Sequence, residues 1–229
     1  MSGVLTVIEP GLVPYGEALE LQRRLADERI AGRIGDTLLL LEHPPVVTMG
    51  RSTREASLPV APDLLRNRGI DVFEIERGGD VTYHGPGQLV GYPIFDLQQH
   101  RQDLHWFLRQ LEEVLIGALA GFGIAAGRNP GYTGVWTQGR KIASIGIHVR
   151  QWVTWHGFAL NVTTDLAPFQ LIVPCGIPDV VMTSMEREGA RAEGLAAAAR
   201  DAVVTSCVTV FRYERAERAS QAALARPEV

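Results

Sequence analysis

The chain has 229 residues, a formal net charge of −4 and a pI near 5.9. Apolar residues make up 46% and charged residues 21%, a mix that buries a real core and excludes disorder as the main state. No apolar run approaches the roughly 18 residues that a membrane helix needs, and the acidic balance argues against nucleic acid as the main partner. The opening Met1-Ser2-Gly3-Val4-Leu5 lacks the basic start, long apolar stretch and cleavage site of a signal peptide, so a cytoplasmic chain with two reduced thiols, Cys175 and Cys207, is expected.

In chain order, residues 15–32 read as a helix with Ala18, Leu21, Leu25 and Ala26 on one side and Arg23, Arg24 and Glu28 on the other. Residues 37–42 form a continuous apolar run stopped at His43-Pro44-Pro45, the pattern of a buried strand. Residues 71–76 alternate as a half-buried strand. The clearest helix opens on Asp103 as N-cap, presents Leu104, Phe107, Leu108, Leu111, Leu115 and Ala118 at three- and four-residue steps, and ends near Gly121. Residues 135–137 and 141–149 flank Gln138-Gly139 as a hairpin, and 154–162 read as a further strand. An alanine-rich helix follows over 193–213, and the polar tail 214–229 is expected to be frayed or disordered. There is no internal repeat or linker, so one domain over 1–213 is expected. Strands that cluster between helices without regular alternation predict an α+β fold with a mixed, largely antiparallel sheet.

Of 22 Lys plus Arg residues, only Lys141 is a lysine. Arginine stays protonated, whereas a lysine loses its proton when its surroundings lower its pKa, so Lys141 is either a proton-transfer group or a surface lysine that survived by chance. The run Arg77-Gly78-Gly79-Asp80-Val81-Thr82-Tyr83-His84-Gly85-Pro86-Gly87-Gln88 follows a predicted strand directly. Its glycines allow close backbone approach to a ligand; Arg77 is suited to hold a carboxylate or orient the loop, and His84 to donate a hydrogen bond or a proton. The same run also reads as a sharp connection between strands. In Ile172-Val173-Pro174-Cys175-Gly176-Ile177 the cysteine falls at a turn, where a thiolate is presented to substrate, although an isolated cysteine also reads as a small buried hydrophobe. Cys207, at helical spacing with Val203, Val204, Val210 and Phe211, reads as core. The six histidines show no ligand-like spacing with either cysteine, and no Cys-x-x-Cys or Gly-x-Ser-x-Gly occurs, so neither a metal nor a serine hydrolase elbow is expected.

These segments together resemble the lipoyl(octanoyl) transferase family. The resemblance rests on five ordered blocks: Glu42-His43-Pro44-Pro45-Val46-Val47-Thr48-Met49-Gly50-Arg51; the glycine-rich run from Arg77 to Gln88; Gly134-Val135-Trp136 with Lys141-Ile142-Ala143-Ser144-Ile145-Gly146; His156-Gly157-Phe158-Ala159-Leu160-Asn161; and Pro174-Cys175-Gly176-Ile177 with Thr183-Ser184. It implies the fold of lipoate and biotin protein ligase catalytic domains. It implies Cys175 as the acyl-accepting nucleophile and Lys141 as the group that lowers its pKa. It also implies that Arg77, Gly78, Gly79, Asp80, Val81, Thr82, Tyr83, His84, Ser144, Ile145, Gly146, Gly157, Phe158 and Ala159 contact substrate. Octanoyl-acyl carrier protein is the implied donor, and lipoyl domains of 2-oxoacid dehydrogenases and glycine cleavage H protein are the implied acceptors, with no cofactor. Backbone amides near Cys175 or in the 144–146 segment are expected to hold the oxyanion. Arg51, Arg54, Arg66 and Arg68 are expected to form a basic rim for these acidic partners. The rival readings are an ATP-dependent lipoate or biotin ligase, a cysteine thioester hydrolase and a non-catalytic acyl-binding module.

Overall fold

A computed structural model describes residues 3–220. The chain begins with β1 (Val4–Leu12) and α1 (Tyr15–Ile30), whose buried Ala18, Leu21, Leu25 and Ala26 match the periodicity of the sequence. Then come β2 (Thr37–Glu42), ended by the two prolines, β3 (Val46–Met49), the short α2 (Pro62–Arg66) and β4 (Asp71–Glu74). The glycine-rich run leads into β5 (Thr82–His84) and β6 (Gln88–Ile94). Next, α3 (Leu104–Ala120) starts on Asp103, whose side chain accepts from Trp106 N at 3.0 Å. The remaining elements are β7 (Gly127–Asn129), β8 (Tyr132–Thr137), β9 (Arg140–Arg150), β10 (Val153–Asn161), α4 (Leu195–Phe211) and β11 (Arg215–Arg218).

The described residues form an eight-stranded sheet in the order β11-β1-β2-β6-β10-β9-β8-β7 and a three-stranded sheet, β4-β3-β5. In the large sheet β11, β1 and β2 are parallel and every later pairing is antiparallel, the mixed sheet expected. Helices cover both faces. Leu38 and Leu40 of β2 pack with α3 and α4, whereas Leu39 and Leu41 face α1. Burial on both faces is why this strand reads as an unbroken apolar run. The small sheet closes its own core with Val47, Leu65, Val81, Tyr83, Phe169 and Met182.

The sequence reading assigned no element at β1, β3, α2, β5 or β7, and two further elements depart from it. Residues 215–218, expected to belong to a frayed or disordered tail, are the strand β11, paired in parallel with β1. They carry no apolar alternation because the pairing rests on backbone: Glu214 N donates to Gly3 O at 2.9 Å and Ala219 N to Val7 O at 2.8 Å. The rest of that expected tail, 221–229, lies outside the described residues. Strand β6 was not foreseen at all, since Gly91 and Pro93 argue against a central strand. The glycine is needed, because a Cβ at Gly91 would come within 2.1 Å of the Phe158 ring on the neighbouring strand.

Phe95, directly after β6, is fully buried and edge-on to Phe211 at 5.1 Å between ring centroids. Phe95→Ala should lower unfolding free energy by about 3–5 kcal/mol, read from the urea midpoint at unchanged m-value.

Candidate active site

Lys141 opens the site. It stands at the start of β9, where the ladder to β8 pairs Val135 with Ala143 but Trp136 with Lys141. One extra β9 residue, Ile142, is thus fitted into the ladder. That bulge changes the side-chain parity, so Lys141 and Ser144, three residues apart, both reach the same thiol. The ammonium lies over the Trp136 ring at 4.9 Å from its centroid, and Lys141 is 1% exposed. The surface-survivor reading of this lysine therefore fails.

The thiol arrives from a separate part of the chain. Cys175 has φ 58° and ψ 19°, a left-handed conformation that costs a non-glycine residue about 1–3 kcal/mol and is held by its surroundings. Its amide donates to Val81 O at 2.8 Å. Gly176 follows at φ +64°, and a Cβ there would come within 2.3 Å of Asp80 Oδ2, so glycine alone fits. Asp80 is itself fixed, accepting from Ser57 Oγ and Val81 N, both at 2.7 Å. The result places Cys175 Sγ 3.0 Å from Lys141 Nζ and 3.6 Å from Ser144 Oγ. Burial pushes the thiol up, but the Lys141 charge, hydrogen bonds from Lys141 and Ser144, and the Arg77 charge together bring it below its ordinary value. Cys207 lies buried in α4, where burial only raises its pKa.

Behind the thiol is a cavity of about 300 Å³. Its lining brings together Cys175, Lys141, Arg77, Gly78, Gly79, Asp80, Thr82, His84, Ser144, Ile145, Gly146, Gly157, Phe158 and Ala159. The last two groups face each other across the β9–β10 ladder, Ser144 opposite Ala159 and Gly146 opposite Gly157. Val81 and Tyr83 do not line it. The strand period turns them into the small-sheet core, and Val81 serves the site through its backbone, its carbonyl holding Cys175 N and its amide holding Asp80. Arg77 orients the loop: its guanidinium donates to Thr48 O at 2.8 Å, Thr48 Oγ1 at 3.0 Å and Gly78 O at 3.2 Å. His84 Nδ1 donates to Gln88 Oε1 at 2.7 Å, since Gln88 Nε2 is the donor to Tyr83 O and Asn161 Oδ1. Burial and the neighbouring His43 pull His84 down to about 3, so it is neutral at pH 7 and its one N–H is the one given to Gln88. The amides of Cys175, Gly176 and Ile177 all donate to carbonyls, leaving Lys141 Nζ and Ser144 Oγ as the donors at the sulfur.

The sequence reading missed Tyr15, Tyr92 and Tyr132 as lining residues, because each comes from a different element and none belongs to a local pattern; Leu108 and Ile177 lay within recognised patterns but were given no role at the site. His156 was within a recognised block but had no role. It has φ 55° inside β10, and its buried Nε2 has no hydrogen-bond partner.

The sequence model of the lipoyl protein ligase A/B catalytic domain matches residues 14–208. An octanoyltransferase of Rubrobacter xylanophilus is 55% identical over 196 residues, 85% of this chain and 88% of its own. Another, of Gloeobacter violaceus, is 57% identical over 176 residues, 76% of this chain and 77% of its own. The chain belongs to the lipoyl protein ligase A/B catalytic-domain family. Solved structures agree on the fold: the bi-partite lipoate protein ligase of Thermoplasma acidophilum has a TM-score of 0.72 at 19% identity, over 96% of this chain and 88% of that one. The biotin protein ligase of Aquifex aeolicus has a TM-score of 0.55 at 12% identity, over 91% and 70%.

Alkylation of Cys175 by iodoacetamide, followed by mass against pH, should show a midpoint below the ordinary value of about 8.5, because a lowered pKa keeps the thiolate present at lower pH. Lys141→Ala leaves burial as the main influence, and the midpoint should then rise above that value. An unchanged midpoint in Lys141→Ala would show that the ammonium does not set the thiol's state.

Proposed function

We propose that this chain moves an octanoyl group from an acyl carrier protein thioester to the lysine of a lipoyl domain by way of a thioester on Cys175. The observation that carries the reading is the 3.0 Å contact between Lys141 Nζ and Cys175 Sγ at the edge of the cavity. The Cys175 thiolate attacks the acyl carbonyl, and collapse of the tetrahedral adduct breaks the bond to the carrier sulfur, which takes a proton from Lys141. The acceptor amine then attacks the Cys175 thioester, gives its proton to Lys141 and releases the thiolate, so the ammonium–thiolate pair is restored. Thioester exchange is close to isoenergetic and the final amide is stable, so no ATP or other cofactor enters. A ligase that adenylates a free acid has no use for this cysteine–lysine pair, which favours the transferase over the ATP-dependent reading.

Lipoyl domains of 2-oxoacid dehydrogenases and the glycine cleavage H protein are the proposed acceptors, and the cytoplasm the proposed location. No helix among the described residues is long and apolar enough to cross a membrane. Arg51 and Arg54 are exposed on the segment whose Arg51 N and Ser52 N donate to Arg77 O and Gly79 O at 3.0 Å. Arg54 also lines a groove that reaches Cys175. Arg66 and Arg68 lie farther along, near α2, with Arg66 paired to Asp63 at 2.9 Å. These four are the proposed basic rim for acidic partners.

Incubation with octanoyl carrier protein should add one octanoyl mass to Cys175, and none in Cys175→Ser. In Lys141→Arg the charge remains but no proton can move, so the adduct should accumulate slowly and transfer poorly, with turnover down by about a hundredfold to ten-thousandfold. Near-normal turnover in that variant would leave the lysine as a charge alone. For the rim, the transfer rate should fall as salt rises, and Arg51→Ala with Arg54→Ala should remove much of that dependence. A wild-type rate indifferent to moderate salt would remove the electrostatic rim from the reading.

A further inference from the structure

The separation of Lys141 and Cys175 is set by backbone, not by the two side chains alone. The segment that carries Cys175 continues to Val181, Met182 and Thr183, where it forms a single parallel bridge with β9 opposite Lys141. Lys141 N donates to Val181 O at 2.8 Å, and Thr183 N donates to Lys141 O at 2.9 Å. One bridge is a weak tether for a segment that is otherwise irregular. Two buried side chains reinforce it from different directions.

The first is Asn161, at the end of β10 and 1% exposed. Its Nδ2 donates to Thr183 O at 2.9 Å, its Oδ1 accepts from Gln88 Nε2 at 2.9 Å, and its own carbonyl accepts from Met185 N at 2.9 Å. The amide orientation is fixed by Gln88, whose Oε1 is already held by His84 Nδ1 at 2.7 Å. The second is Glu188, whose carboxylate accepts from Thr183 Oγ1 and, at 2.9 and 2.7 Å, from Arg140 Nε and Nη2. Arg140 is the residue before Lys141, so Glu188 joins the two strands of the bridge beside the lysine.

We infer that Asn161 and Glu188 are positioning residues: from two sides they hold the 181–185 segment against Lys141 and thereby fix the distance between its ammonium and the Cys175 sulfur. Neither side chain touches the sulfur or Lys141 Nζ; they act through the Lys141 backbone and the path of the segment. The inference rests on Cys175 and Lys141 being the reacting pair. If the segment moves off by about an ångström, the nitrogen–sulfur contact leaves hydrogen-bonding range for a charged pair, and the thiolate loses its main support.

The test is the pH midpoint of Cys175 alkylation by iodoacetamide in the purified full chain, with thermal unfolding measured alongside. Asn161→Leu keeps size and removes both amide hydrogen bonds. Its midpoint should rise by about one pH unit, a fall of about tenfold in the thiol's ionisation constant. Glu188→Gln gives the sharper readout. Loss of a negative charge, acting through the field alone, lowers a thiol pKa or leaves it unchanged; loss of the clamp raises it. A higher midpoint in Glu188→Gln therefore supports positioning, and a lower or unchanged one overturns it. An unchanged midpoint in a folded Asn161→Leu overturns it equally, whatever happens to transfer. Should Asn161→Leu not fold, Glu188→Gln decides alone. The assay uses no acyl donor. Absence of an octanoyl adduct on wild-type Cys175 would defeat the proposed function instead, and would be seen separately.

Discussion

A buried ammonium against a half-buried sulfur is the contact on which the rest of this structure depends. Each partner alone is unfavourable: a lysine removed from water tends to lose its charge, and a buried thiol resists ionisation. Together, at 3.0 Å, each supplies the counter-charge that the other lacks. Among the described residues no carboxylate pairs with Lys141; its ammonium meets the sulfur and the Trp136 face. The Lys141 charge and hydrogen bond draw the thiol below its ordinary value and so favour the thiolate. The proposed transfer, with its leaving thiol and attacking amine, would draw on that contact.

Bringing the two atoms together constrains distant parts of the chain. The lysine is aimed by a bulge in β9, and the cysteine by a left-handed residue at a turn. The turn leans on the small sheet through Val81 O and Asp80, so the glycine-rich loop acts first as a scaffold. Its glycines let Arg77 fold back on Thr48 and let Gly78 N reach Ile147 O at 2.8 Å on β9. The loop, the turn and the edge of the cavity therefore form one connected body between the two sheets.

How much of this was legible in the sequence follows from how local each feature is. The helix after Asp103 and the run 37–42 carry their own signals: an N-cap with apolar three- and four-residue steps, and an apolar stretch stopped by proline. The hairpin at Gln138-Gly139 does too. β6 and β11 carry none, since one hides behind Gly91 and Pro93 and the other is held by backbone pairing to β1. The site divides in the same way. Cys175, Lys141 and the glycine-rich loop stood out as residue types in unusual contexts, but nothing local separated Thr82 and His84, which face the cavity, from Val81 and Tyr83, which do not. Tyr15 and Tyr92, on α1 and β6, become neighbours of the site only through the sheet order.

The use of cations shows the same logic in a single residue choice. Two arginines, Arg29 and Arg77, are buried as well. Arg29 is matched to Asp36 at 2.9 Å, and Arg77 to carbonyl and hydroxyl oxygens of its own loop and Thr48. Both positions need a fixed charge with directed donors, which a guanidinium supplies and never surrenders. The Lys141 position holds a compact donor that fits between an indole face and a sulfur. In a chain whose other Lys/Arg positions are all arginine, the one lysine stands where, in the proposed transfer, a permanent charge would hold the thiolate but could not take a proton from the incoming amine.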